Sequence, residues 1–314
     1  MAVTELAGYI DLTPWHRFGF SASNGAILRA VQGRSKIHIV DFGITHCMQW
    51  PTLIDALAKR PEGPPLQLRI TVPAARPPVP PVLSVSIETI GLRLANFARS
   101  RNLPFHLHAV KSKLSSDSNN NPNPNFAQEL ATSGILNPTS LDLRDDEAVI
   151  VNCQSWLRYQ STKDGFLEAI RGLNPHLVTI TDEDADLDSP TLTSRIMACF
   201  NYFWIPFDAL ETFLPKDSPQ RAEYEADVGQ KIEDVIGLEG EQRIERLETS
   251  ARVAQRMKRA GFASVAFGEE TVREMKGLLD GHASGWGMKK EEEMLVLTWK
   301  GHSSVFTAAW VPSE

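Results

Sequence analysis

Five short apolar segments, spaced by stretches of helical periodicity, constrain this chain more than any other feature. They are KIHIVDF (36–42), LQLRITV (66–72), PFHLHAV (104–110), EAVIVNC (147–153) and HLVTITD (176–182). KIHIVDF, a brief run with little alternation, suits a strand buried on both faces. Between them, PTLIDALAKR places Leu53, Ile54, Leu57 and Ala58 on one helix face, with Pro51 in the first turn. A second helix is predicted over 86–102, with a stripe of Ile87, Ile90, Leu94, Phe97 and Ala98, and a third over 164–173. Upstream, residues 22–32 have helical spacing at Ile27, Leu28 and Val31, and Gly33 is a suitable stop. Strand and helix alternating on this scale predict an α/β fold with a parallel, doubly wound sheet.

The pattern changes after about residue 190. Residues 191–260 read as almost wholly helical, and the end of the chain returns to strands, SVAFG, EMLVLTWK and SVFTAAWV. The last two flank KGHS, a loop of hairpin length in which Gly301 supplies positive φ. Trp299 and Trp310 fall in that hairpin and are expected to be core anchors. SDSNNNPNPN (116–125) is turn-rich and low in complexity, and reads as a mobile surface loop. An antiparallel hairpin closing a parallel sheet is the topology of S-adenosylmethionine methyltransferases, so a methyltransferase-like Rossmann core is expected.

An active methyltransferase is therefore the enzyme hypothesis to test. Its first turn needs small residues where the backbone approaches the cofactor, and an acid after the second strand holds the ribose. Asp41 and Gly43 are present, but Ile44, Thr45 and His46 fill the positions where glycines would clear space. The second strand runs into TVPAARPPVPP with no acid near its end. No cofactor is expected, and Asp41 reads as a carboxylate capping the turn or the next helix. DEDADLD (182–188) fails as a calcium loop, with Leu187 where glycine belongs, and reads as a solvated acidic loop. His46 and Cys47 read as a packed loop pair rather than a metal site or nucleophile. Cys47, Cys153 and Cys199 are far apart and suit a reducing compartment. No catalytic motif and no metal framework is present, and no segment approaches the ~18 apolar residues of a membrane span. The formal net charge of -7 excludes nonspecific coating of nucleic acid, so any such contact needs a local basic patch.

Six motifs in order carry a resemblance to the GRAS family of plant transcriptional regulators. IHIVD (37–41) resembles the VHIID motif, and LRIT (68–71) with ETIGLRLANFA (88–98) resembles the opening of the second leucine-rich region. FNYFWIPFDALE (200–211) is similar to the PFYRE motif and RIERLE (243–248) to the RVER element. Trp286-Gly287, Trp299 and Trp310 are similar to the SAW region, with AAW at 308–310 in place of SAW. DLTPWHRFGFSASNGAIL (11–28) most resembles the Scarecrow-like branch. The resemblance implies a methyltransferase-like α/β core under a helical cap, a nuclear location, and action on transcription through DNA, partner proteins or both. The partners it implies are other transcription factors, other GRAS proteins, or a second copy in a homodimer. The first leucine-rich region is matched only at its end. Residues 1–33 are thus expected to be a remnant of the cap and 34–314 the core, with 191–260 a helical insertion contributing to the cap.

Two surfaces are candidates for contact with DNA. On a helix predicted over 243–259, Ile244, Leu247, Ala251 and Ala254 would be buried, leaving Arg252, Arg256 and Arg259 in a basic row on the opposite face. At the carboxyl ends of the strands, where doubly wound folds bind ligands, His46, Gln49, Arg76, Trp156 and Arg158 would gather. The reading is a nonenzymatic regulator using its core as a binding platform, against two rivals, an active methyltransferase and a protein-interaction scaffold without direct DNA contact.

Overall fold

The computed structural model describes residues 10–43, 48–73, 85–110, 136–282 and 284–313. The strands are β1 (Lys36–Asp41), β2 (Gln67–Pro73), β3 (Phe105–Val110), β4 (Ala148–Gln154), β5 (Leu177–Glu183), β6 (Phe262–Val265), β7 (Trp286–Glu291), β8 (Met294–Trp299) and β9 (His302–Pro312). They form one sheet in the order β3-β2-β1-β4-β5-β9-β8-β7, with β6 also paired to β9. β1 to β5 run parallel, while β9, β8 and β7 are antiparallel to their neighbours. The order reverses between β1 and β4, which is where a doubly wound sheet opens a ligand crevice.

The helices are α1 (Pro14–Ala30), α2 (Gln49–Ala58), α3 (Ile87–Ser100), α4 (Lys163–Gly172), α5 (Leu192–Phe213), α6 (Pro219–Gly237), α7 (Ser250–Arg259) and α8 (Glu269–Asp280). They cover both faces of the sheet, and successive strand residues supply two cores. Ile37, Ile39, Ile150 and Leu297 join one cluster with Ile27, Leu53, Leu94 and Met275 of α1, α2, α3 and α8. Val40, Val151, Val178 and Val296 join the other with Phe166 of α4 and Val253 of α7. Burial on both faces is why these strands lack alternation in the sequence.

The predicted stripe of α3 is buried at Ile87, Ile90, Leu94 and Ala98, with Phe97 half-buried. Its start is fixed by Ser86, whose hydroxyl accepts from the Thr89 N–H at 3.2 Å. In the closing hairpin, Lys300 and Gly301 have φ of 47° and 85°, as a two-residue turn of this hand requires. Trp299 and Trp310 are buried, and the Trp299 indole N–H donates to Asp208 of α5 at 2.6 Å.

Three features differ from the sequence expectation. α1 begins at Pro14 and packs on β4, β5 and β9, so this helix of the segment read as a cap remnant lies against the sheet. Its approach is close: a Cβ on Gly19 would come within 2.3 Å of the Thr181 methyl on β5. Residues 243–249 are not helical, and α7 starts only at Ser250. β7 was not expected; its WGMKKE sequence is half-exposed on the sheet edge and lacks strand patterning. The loop read over 116–125 lies outside the described residues.

Candidate functional site

At the switch point, Asp41 at the end of β1 is in register with Asn152 on β4. The Asp41 carboxylate accepts from the Gly43 N–H at 2.8 Å, the Asn152 amide at 2.8 Å and the Trp50 indole at 3.0 Å. The Asn152 oxygen accepts from Thr179 at 2.8 Å, and its amide also donates to Gln49 at 3.1 Å. Gln49 donates in turn to the Asn24 side-chain oxygen of α1 at 3.1 Å, and Asn24 donates to Thr52 at 2.9 Å. Gln154 donates to Ser23 of α1 at 2.8 Å. Every side-chain oxygen and nitrogen of Asp41, Asn152, Gln49 and Asn24 thus has a partner inside the protein. Burial pushes the Asp41 carboxyl up to about 6, opposed by its bonds from Asn152, Gly43 and Trp50. It remains largely an anion at neutral pH.

This ring does not fit a nucleotide cofactor. α1 reaches into the switch point with Ser23 and Asn24, and the Asp41 carboxylate caps its own turn. Gly43 serves the protein too, because a Cβ there would come within 2.5 Å of the Gln154 Cβ. Ile44, Thr45, His46 and Cys47 of the turn, and Arg76 beyond β2, lie outside the described residues. Sequence reading missed Asn24, Asn152 and Gln154; the signal available was a pair of amides at alternate positions in the otherwise apolar VIVNCQ.

The remaining crevice candidates among the described residues are buried. Gln49 is buried in the ring, and Trp156 packs against the rings of Phe42 and Tyr159 at centroid distances of 5.7 and 6.3 Å. Arg158, expected to face the crevice, is buried in a cluster of acids. Its Nε donates to Asp182 at 2.7 Å, and it lies 3.3 Å from Glu183 and 3.9 Å from Glu245. Lys231 of α6 pairs with Glu183 at 2.9 Å. Burial raises Asp182 and Glu245, whereas at Glu183 burial is outweighed by Arg158 and Lys231, which hold it down to about 2.

The acidic run 182–188 is likewise not a solvated loop. Asp184 accepts the Ser250 N–H at the start of α7 at 2.8 Å, and Asp186 pairs with Arg252 at 3.1 Å. Asp188 pairs with Arg243 at 2.9 Å, and with Lys163 and Arg246 at 3.4 Å each. The run fastens residues 243–249 and α7 to the carboxyl end of β5. Those residues are held extended because the Asp234 carboxylate takes the N–H groups of Ile244 and Glu245, and the Arg158 carbonyl takes that of Arg246.

The basic row exists but is engaged. Arg256 grips Glu248 with two bonds of 2.7 and 2.8 Å and reaches Asp164 at 2.7 Å. Arg252 pairs with Asp186, and Arg259 lies 3.8 Å from Asp164. The buried face of α7 is Ser250, Val253, Ala254 and Met257, so Ala251, placed in the stripe by the sequence reading, is exposed. The register moved because the segment preceding Ser250 is not helix. Among the described residues no group of three or more His, Cys, Asp or Glu could hold a metal ion, and no helix is long and apolar enough to cross a membrane.

With this geometry in hand, comparisons with known proteins agree in one direction. The profile of the GRAS domain family matches residues 1–311. Scarecrow-like protein 32 of Arabidopsis thaliana is 46% identical, over 99% of this chain and 75% of its own length. Protein SHORT-ROOT of the same plant is 30% identical, over 96% of this chain, which spans 57% of it. Among solved structures, SCL7 of Oryza sativa superposes with a TM-score of 0.83 at 26% identity, covering 98% of this chain and 82% of that one. Scarecrow-like transcription factor PAT1 of Arabidopsis thaliana is 27% identical, over 98% of this chain, which spans 61% of it.

Proposed function

Since the chain belongs to the GRAS domain family, we propose that it regulates transcription in the plant nucleus as a platform for partner proteins, reaching DNA through them. The observation that carries this reading is the hydrogen-bonded chain from Asp41 through Asn152 and Gln49 to Asn24, in which the polar groups at the switch point are satisfied by the protein itself. The core keeps a ligand-binding topology as a rigid frame, and fold and activity separate. Partner surfaces for other transcription factors, other GRAS proteins or a second copy then lie on the outside of that frame.

A second reading, direct contact with DNA, is favoured by the position of Arg259, whose side chain is 66% exposed and held only at 3.8 Å by Asp164. Each phosphate neutralised adds about -0.9 to the logarithmic salt slope on duplex DNA. Titration of labelled duplex by fluorescence anisotropy, over a range of salt, separates the readings. Platform action leaves any slope unchanged when the row is removed. A slope near -2.7 that flattens in the Arg252→Gln, Arg256→Gln, Arg259→Gln triple variant would establish the row as a DNA surface.

A further inference from the structure

The hairpin of α5 and α6 carries most of the large apolar side chains that the described residues leave exposed. Phe200 is 75% exposed, Met197 57%, Leu192 44% and, on the last turn of α6, Ile236 36%. At 3.6 residues per turn, Leu192, Ile196, Phe200, Trp204 and Met197 fall within a sector of roughly 140° on α5, which Thr193 and, two turns beyond Trp204, Glu211 interrupt. Tyr202 on the other side of the helix and Phe203 at the stripe's edge are buried against the core, so the exposed part of the stripe is Leu192, Met197 and Phe200. Arg195 ties the two helices together, donating to the Val235 carbonyl at 2.8 Å and pairing with Glu239, which brings the Ile236 turn to the start of the stripe. Contiguous exposed apolar surface of this kind marks an interaction site.

Charge says what covers it. Residues 191–242 contain Arg195, Lys216, Arg221 and Lys231 against ten acids, so nearly all of the chain's net charge of -7 is concentrated on this hairpin. Glu223, Glu233, Glu239 and Glu241 are exposed on α6 and just beyond it. A second copy docked face to face would bring together two surfaces of the same net negative charge. We infer that the α5 stripe is the docking face for an amphipathic helix of a partner protein, apolar on one side and lysine- or arginine-rich along its flanks. The inference rests on the partner-platform reading and names one surface for it.

The test uses a fluorescein-labelled 18-residue leucine–lysine amphipathic peptide and a leucine–glutamate peptide with the same apolar face. Saturable one-to-one binding of the lysine peptide is expected, weakened at least tenfold by Phe200→Ser with Met197→Ser at an unchanged thermal midpoint. The glutamate peptide is expected not to bind. No binding of the lysine peptide, equal binding by the double variant, or equal binding of the glutamate peptide would overturn the inference. So would sedimentation showing a dimer that the same variant dissolves, since the face would then belong to a second copy. A reporter assay with the chain fused to a foreign DNA-binding domain tests the platform reading separately: peptide binding without any change in transcription would sink that reading and leave the surface standing.

Discussion

Asp41 shows how a residue can keep the place of a cofactor ligand while doing other work. Its folded carboxyl is raised to about 6 from the model-peptide value of 3.8, chiefly by burial. Between about pH 4 and pH 6 the folded state therefore holds a proton that the unfolded state has released. The stability contributed by this group is full below pH 4 and is lost as pH rises through 6, by about 3 kcal/mol. Asp41→Asn removes that slope, so the variant is expected to gain on the parent by this amount between pH 4 and pH 7 in urea midpoints. Identical slopes for the two proteins would contradict the assignment. Gly43→Ala is expected to cost about 1–3 kcal/mol, since the new methyl meets Gln154 and the turn must shift. Asp41 as a turn cap was legible in the sequence; its bonds to Asn152 and Trp50 were not, because 111 positions separate it from Asn152.

Among elements, the strands and the helices between them were readable because burial on both faces imposes apolar runs and single-faced helices impose periodicity. RIERLE was misread for a physical reason. Its spacing is helical, but Asp234 and the Arg158 carbonyl capture its backbone N–H groups, and these tertiary bonds override local preference. The same clamp makes Arg158 structural. Arg158→Leu leaves Asp182 buried without its cation, with Lys231 alone facing Glu183 and Glu245, and is expected to cost about 3–5 kcal/mol by denaturant unfolding. A loss under 1 kcal/mol would mean that the cluster is hydrated and open. Trp310→Ala empties a site between β5, β6 and β9 and is expected to cost about 3–5 kcal/mol, read as a lowered thermal midpoint.

At the scale of the whole molecule, sheet topology was legible and surface function was only partly so. Sequence charge marked Arg252, Arg256 and Arg259 as a row, but acids from β5's loop, from Glu248 and from α4 converge on it in three dimensions. Exposure of the α5 stripe could not be read at all, since Phe200 and Met197 look like core residues until their neighbours are placed. What unites the scales is the proposal that a Rossmann-like frame, its switch point bridged by α1 and the Asp41–Asn152–Gln49 network, leaves function to the outer surfaces. Isothermal calorimetry of the purified chain with S-adenosylmethionine tests that claim most directly. No heat beyond dilution is expected up to millimolar ligand, whereas a one-to-one isotherm with a micromolar Kd would show that the crevice opens and still serves a cofactor.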